Sequence, residues 1–158
     1  MKKSQGFTLI ELMIVVSIML LGLGFAITRY SFFHEAQRVK QASNALASDL
    51  SLAHNSAVSG KKPVSCLATE MLVGYKVTFS TSSYSVVPQC SSSGDITGTA
   101  TTVTLPSGIT FALPVPSSFV YYPMTQGTSL TSDVTLGLTD GITSLTVTID
   151  KATGEVNK

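Results

Sequence analysis

Residues 6–27 read GFTLIELMIVVSIMLLGLGFAI, an apolar stretch that opens on Gly6 and carries one charge, Glu11, close to its start. As a helix, Phe7 to Ile27 would rise about 30 Å, the thickness of a bilayer core. A carboxylate in hydrocarbon is opposed by roughly 3 kcal/mol on insertion scales, so an ionisable group there marks a function and needs a partner. A cut between Gly6 and Phe7 would create one. The new α-amino group, with an ordinary pKa of about 8, would be cationic and near Glu11, within one helix or across to a neighbouring subunit. Lys2 and Lys3 set the N-terminus in the cytoplasm and everything past Arg29 on the other side of the membrane.

The plainer reading is a secretory signal peptide, with Lys2 and Lys3 as its basic region and Gly24-Phe25-Ala26 as its cleavage site. Against it, the apolar run is longer than the usual 7 to 15 or so residues, it contains an acid, and helical sequence continues past the cleavage site.

Beyond the membrane-length stretch the helical pattern changes character without stopping. Phe32, Ala36, Val39, Ala42, Leu46, Leu50, Ala53 and Ala57 recur at spacings of three and four, with Gln37, Gln41, Asn44, Ser48, Ser51 and Asn55 on the other side. Gly60 and Pro63 are stop signals, so one helix is expected from about Phe7 to Ser59, about 80 Å long. From Pro63 the composition turns to Ser, Thr and Val and the apolar period becomes two. Tyr75-Val77-Phe79, Val134-Leu136-Leu138 and Leu145-Val147-Ile149 alternate with polar residues, as antiparallel strands with one buried face do. Asp140-Gly141 is a hairpin turn signal, and Thr153-Gly154 a reversal before Val156. Shorter candidate strands are Val64–Leu67, Tyr84–Val87, Thr101–Leu105, Ile109–Leu113 and Phe119–Tyr122, while Gln89–Ala100 and the prolines 114, 116 and 123 read as loops. The expected class is α+β, a long N-terminal helix packed on an antiparallel β-sheet head.

The short basic leader, the run Phe7-Thr8-Leu9-Ile10-Glu11-Leu12 and the apolar stretch that follows resemble the type IV pilins and the pseudopilins of type II secretion. The resemblance implies cleavage after Gly6 by prepilin peptidase, N-methylation of Phe7, and alignment of each incoming subunit by Glu11 meeting the Phe7 amine of a neighbour. It implies four regions: a leader (1–6), a transmembrane and filament-core helix (7–28), an amphipathic second half (29–60) and a β-rich head (61–158). Its partners would be other pilins or pseudopilins, prepilin peptidase and an inner-membrane assembly platform. The location would be the inner membrane in a single pass, with the head periplasmic or extracellular, and then a filament. The head looks most similar to the GspH/FimT type of minor pseudopilin and minor pilin, on its alanine-bearing helix (Ala45 to Ala57), its β-only character and its closing Leu145–Val156 strand, turn and strand. Many pilins carry a proline in the membrane helix; here Gly22 and Gly24 are the loosening points.

Charge and chemistry narrow the function classes. Ten basic and nine acidic residues give +1, and without Lys2 and Lys3 the balance is eight to nine, or −1. Phosphate binding needs clustered Lys and Arg, so this balance argues against nucleic acid as a partner; Lys61-Lys62 is the one basic doublet beyond Lys2-Lys3 and reads as a solvated turn. Cys66 and Cys90 are too far apart for a CxxC redox or zinc motif. In an oxidising compartment they could form a bridge worth about 3 kcal/mol in the chain-entropy model; two unpaired buried thiols are the alternative. No GxSxG elbow, HExxH helix, P-loop or EF-hand spacing is present, so no enzyme, cofactor or metal is expected. His34 and His54 fall on the helix and read as surface or helix–sheet contacts. The expected function is a structural subunit, minor pilin or pseudopilin, assembled through its N-terminal helix. The alternatives are a major pilin, a filament-tip module binding DNA or a surface, and a secreted soluble domain.

Overall fold

The computed structural model describes residues 8–112, 114–124 and 127–158, with side chains described throughout these except at 23–33 and 98. One helix, α1 (Leu9–Val58), opens the fold, within about two residues of the expected bounds at each end. The chain divides into two units, Met1–Gln37 and Arg38–Lys158.

In the second unit the helix buries the expected stripe. Val39, Leu46, Leu50 and Ala57 are fully inaccessible and Ala42 and Ala53 nearly so, while Gln41, Asn44, Ser48 and Asn55 face water. The stripe is wider than the spacing alone indicated, because Ser43 and Ala47 are buried beside it. Burial of two leucines, Leu46 and Leu50, at about 25 cal/mol per Å² stabilises the packing. The helix ends as its stop signals imply: Gly60, at φ +61°, donates to Ala57 O at 2.9 Å, and Lys61 N to Ser56 O at 2.9 Å, which satisfies terminal carbonyls.

The β region is two antiparallel sheets where a single sheet was expected. The first contains β1 (Leu72–Phe79), β2 (Ser83–Cys90), β3 (Gly94–Asp95), β4 (Thr101–Thr104) and β6 (Ser118–Tyr121). Strand β1 lies between β2 and β6, and the outer side of β2 is shared by β4, along Ser83–Val86, and β3, at Gln89–Cys90. The second sheet runs β5 (Thr110–Ala112), β7 (Val134–Thr139), β8 (Ser144–Ile149), β9 (Val156–Asn157). Period two places a strand on a face but does not name its neighbours, so the division into two sheets is not written in the alternation. Phe111 N donates to Thr81 O at 3.1 Å and Thr128 N to Lys151 O at 3.2 Å, tying one sheet to the other. Val77, Tyr84, Phe119 and Tyr121 of the first sheet and Phe111, Leu136, Leu138, Val147 and Ile149 of the second close one core over the helix stripe.

Three local expectations are corrected. Val64–Leu67 is a turn, because Pro63 lacks a donor and its carbonyl accepts the Cys66 N–H at 3.1 Å, which folds the segment back on itself. Cys66 therefore sits in a turn rather than at a strand end. Gln89–Ala100 is partly ordered ladder: β2 reaches Cys90, β3 returns against it, and Thr97–Thr99 forms a 3₁₀ turn. Pro88 is accommodated within that strand because its carbonyl faces outward to Ile96 N at 2.9 Å, between the stretches paired by β4 and β3. Its missing N–H points to the same side and interrupts no strand pairing.

Among the described residues no helix is long and apolar enough to cross a membrane. The fully described apolar stretch, Leu9 to Gly22, is shorter than the ~20 residues that spanning requires. The rest of the expected segment falls where side chains lie outside the described residues.

Candidate functional site

The expected processing pair, Gly6 and Phe7, lies outside the described residues. The assembly residue Glu11 lies within them, in the first turn of α1 and facing solvent. Thr8 caps that turn: its Oγ1 accepts the Glu11 N–H at 3.3 Å, and its carbonyl accepts Leu12 N–H at 3.2 Å. Thr8-x-x-Glu11 has the spacing of a capping box, a signal readable from the sequence that the membrane argument had overshadowed. The positive end of the helix dipole favours a carboxylate at this position. No hydrogen bond or ion pair to its carboxylate forms among the described residues.

Around Glu11 the helix surface is apolar on all sides. Leu9 is 78% exposed and Leu21 68%, and Ile10, Met13, Ile14, Ile18 and Leu20 are comparably open. Ser17 returns its hydroxyl to Met13 O at 2.8 Å, so the one polar side chain midway along the stretch is satisfied by its own helix. An apolar surface this continuous on a monomer marks contact with another apolar phase or another protein.

In the head, Cys66 and Cys90 are bridged, with Cα atoms 6.1 Å apart, and the bridge ties the loop after α1 to the end of β2. Glu70, 5% exposed, is folded into this loop: one carboxylate oxygen accepts Ser93 Oγ at 2.6 Å and the other Leu67 N at 2.8 Å. The Ser93 hydroxyl foremost, against the opposing effect of burial, holds its carboxyl below the ordinary range. Lys62 Nζ donates to three carbonyls of the same loop, those of Leu67, Ala68 and Glu70, the last at 2.7 Å. Half of the basic doublet is thus a structural clamp rather than a solvated turn.

The helix is fastened to the head by contrasting tyrosines. Tyr84 OH donates to Asp49 on α1 at 2.6 Å, and burial together with that acceptor pushes its pKa well up. Tyr121 is wholly buried, its hydroxyl finds no partner among the described residues, and burial alone raises its pKa. The closing turn rests on it. Gly154 adopts φ +77°, and a Cβ there would stand 3.0 Å from His54 Cδ2 and 3.1 Å from the Tyr121 ring. His54 is therefore a helix–sheet contact, 5.5 Å from Tyr121 ring to ring. Lys158, the cation after the turn, is engaged with Asn44 Oδ1 at 3.0 Å.

Asp140 and Asp150 shape turns. Asp140 Oδ1 accepts Thr143 N at 2.6 Å and Ile142 N at 2.9 Å; Asp150 Oδ1 accepts Thr153 N at 2.7 Å and Ala152 N at 2.8 Å. These backbone donors, with the Thr153 hydroxyl at Asp150, hold both carboxyls below their ordinary range. A shallow cleft of about 230 Å³ lies between α1 and the first sheet, walled by Leu52, Ala53, Pro63, Tyr75, Val86 and Pro88.

No curated protein and no solved structure matches the chain. Residues 1–27 match the family model described as the prokaryotic N-terminal methylation motif, and with it the chain carries the N-terminal signature of the type IV pilins and pseudopilins.

Proposed function

We propose that the protein is a non-enzymatic structural subunit, a minor pilin or pseudopilin of the GspH/FimT type. Prepilin peptidase cleaves it after Gly6, Phe7 is methylated, and the subunit is drawn from the inner membrane into a filament through its N-terminal helix. The observation that carries this reading is the conjunction of the methylation motif with an all-round exposed apolar helix at Leu9–Leu21. Before assembly the bilayer covers that surface in a single pass, with the N-terminus in the cytoplasm; afterwards copies from other subunits and contacts with the assembly platform do so. Glu11, whose carboxylate has no partner among the described residues, meets the Phe7 amine of a neighbour and sets register, the best-attested use of a buried polar group.

The test is intact mass with N-terminal peptide mapping of the membrane-extracted protein. A chain beginning at N-methylated Phe7 supports the reading. A mature start near Ile27 would make this a secreted domain and remove the role given to Glu11. No observation favours DNA binding by the head: Lys62 and Lys158 are both engaged within the fold. Salt-dependent DNA binding by the processed chain would overturn that judgement.

A further inference from the structure

The loop after α1 gathers chemistry that filament assembly does not use. Cys66, Glu70 and Cys90 are all buried, and their sulfur and carboxylate atoms lie within 4.8 Å of one another. Glu70 is one of two buried polar or charged residues in the described core, and it stands beside the sulfurs rather than at the surface. Zn²⁺ takes thiolate sulfur at about 2.3 Å and carboxylate oxygen at about 2.1 Å, which puts sulfur and oxygen roughly 3.6 Å apart in a tetrahedral site. The observed separations come within about 1.2 Å of that, a distance side-chain rotation covers. The Leu67–Glu70 backbone is held by Lys62 on the carbonyls of Leu67, Ala68 and Glu70, and Cys90 by its ladder position opposite Leu72, so the groups keep their places when the sulfurs part.

We propose that the reduced chain holds a thiophilic divalent cation, Zn²⁺ in the first instance, on Cys66, Cys90 and Glu70, with one coordination position left to solvent. The bridge and the metal are alternatives. A dithiol reductant gives two electrons and two protons to the Cys66–Cys90 bond and becomes a cyclic disulfide; on binding, the two thiols release their protons to solvent and the cation takes the sulfur lone pairs. A disulfide oxidant reverses this: it takes the two thiolate electrons, and two protons from solvent, to become a dithiol, while the Cys66–Cys90 bond re-forms and the cation leaves. The site belongs to the chain before its bridge has closed, and it keeps two reactive thiols from pairing with those of other chains. The contiguous apolar cluster under the helix stripe includes neither cysteine.

Full-length protein in detergent micelles is reduced anaerobically with a dithiol, freed of reductant and titrated with Co²⁺ as a spectroscopic stand-in, circular dichroism following the fold. Thiolate-to-cobalt charge-transfer absorption is expected at one Co²⁺ per chain. Zn²⁺ should displace it, and the oxidised chain should show none. Glu70→Gln should weaken binding about tenfold or more, the scale that loss of even an outer-shell partner brings. Ser93→Ala, which frees one Glu70 oxygen, should change affinity less. A folded, reduced chain without the absorption overturns the proposal, as does Glu70→Gln with unchanged affinity. Should reduction unfold the head, Zn²⁺ must restore its circular dichroism, and failure to do so is equally contrary.

Discussion

Leu9–Leu21 and Val39–Ala57 belong to one helix and are both rich in apolar residues, yet their surfaces have opposite fates. In the first, every large apolar side chain is exposed; in the second, one stripe is buried and the opposite side is mostly polar. The second stretch has its packing partner within the chain. The first shows none among the described residues. A helix that is apolar all round is stable only inside something else, whereas an amphipathic one completes a core of its own.

Substitutions on the two stretches should therefore separate folding from assembly. Leu50→Ala removes a fully buried side chain and should cost the head about 4 kcal/mol, read as a lower melting temperature of the full chain in detergent. Ile14→Ala should leave that melting temperature unchanged and lower filament incorporation instead. Equal destabilisation by the two would erase the contrast.

Next in size, the Cys66→Ser, Cys90→Ser double variant should cost about 3 kcal/mol for a loop of 24 residues' separation, measured by denaturant unfolding. The loss should fall on the head alone and leave processing at Gly6 intact.

Smaller effects distinguish the two tyrosines under the helix. Tyr84→Phe deletes a hydrogen bond to Asp49 and should cost about 1 kcal/mol; Tyr121→Phe removes a buried hydroxyl with no partner among the described residues and should be neutral or stabilising. A large loss at Tyr121→Phe would mean that the hydroxyl is satisfied after all.

The smallest effect is acid sensitivity of the head. Asp140 and Asp150 have folded pKa values below their ordinary ones, so the stability they contribute is fully present above the unfolded value near 4 and is lost as pH falls through the lowered one. Unfolding midpoints should drop below about pH 4, and Asp150→Asn should flatten that decline while lowering stability at neutral pH.

Much of this architecture was legible because helical and strand periods are local properties. The Val39–Ala57 stripe, the Asp140-Gly141 hairpin and the closing reversal at Gly154 all follow from spacing and turn chemistry. Which strand lies beside which was not fully legible, since β4 joins β2 and β6 joins β1 through pairings that no short window contains. Val64–Leu67 misled because two apolar residues outweighed the proline before them. The place of Glu70 and Lys62 was also hidden: a buried carboxylate and a lysine on three carbonyls are set by the loop's path, not by its composition. The Thr8 cap could have been read, and it explains why Glu11 stands in a first turn.

The most direct test of the account is Glu11→Ala expressed with the rest of its assembly machinery, with sheared filaments and membranes assayed separately by peptide mapping of the N-terminus. The expected result is a chain cleaved and methylated at Phe7 that stays in the membrane fraction. Incorporation into filaments at the level of the unaltered protein would contradict the account, since Glu11 would then set no register.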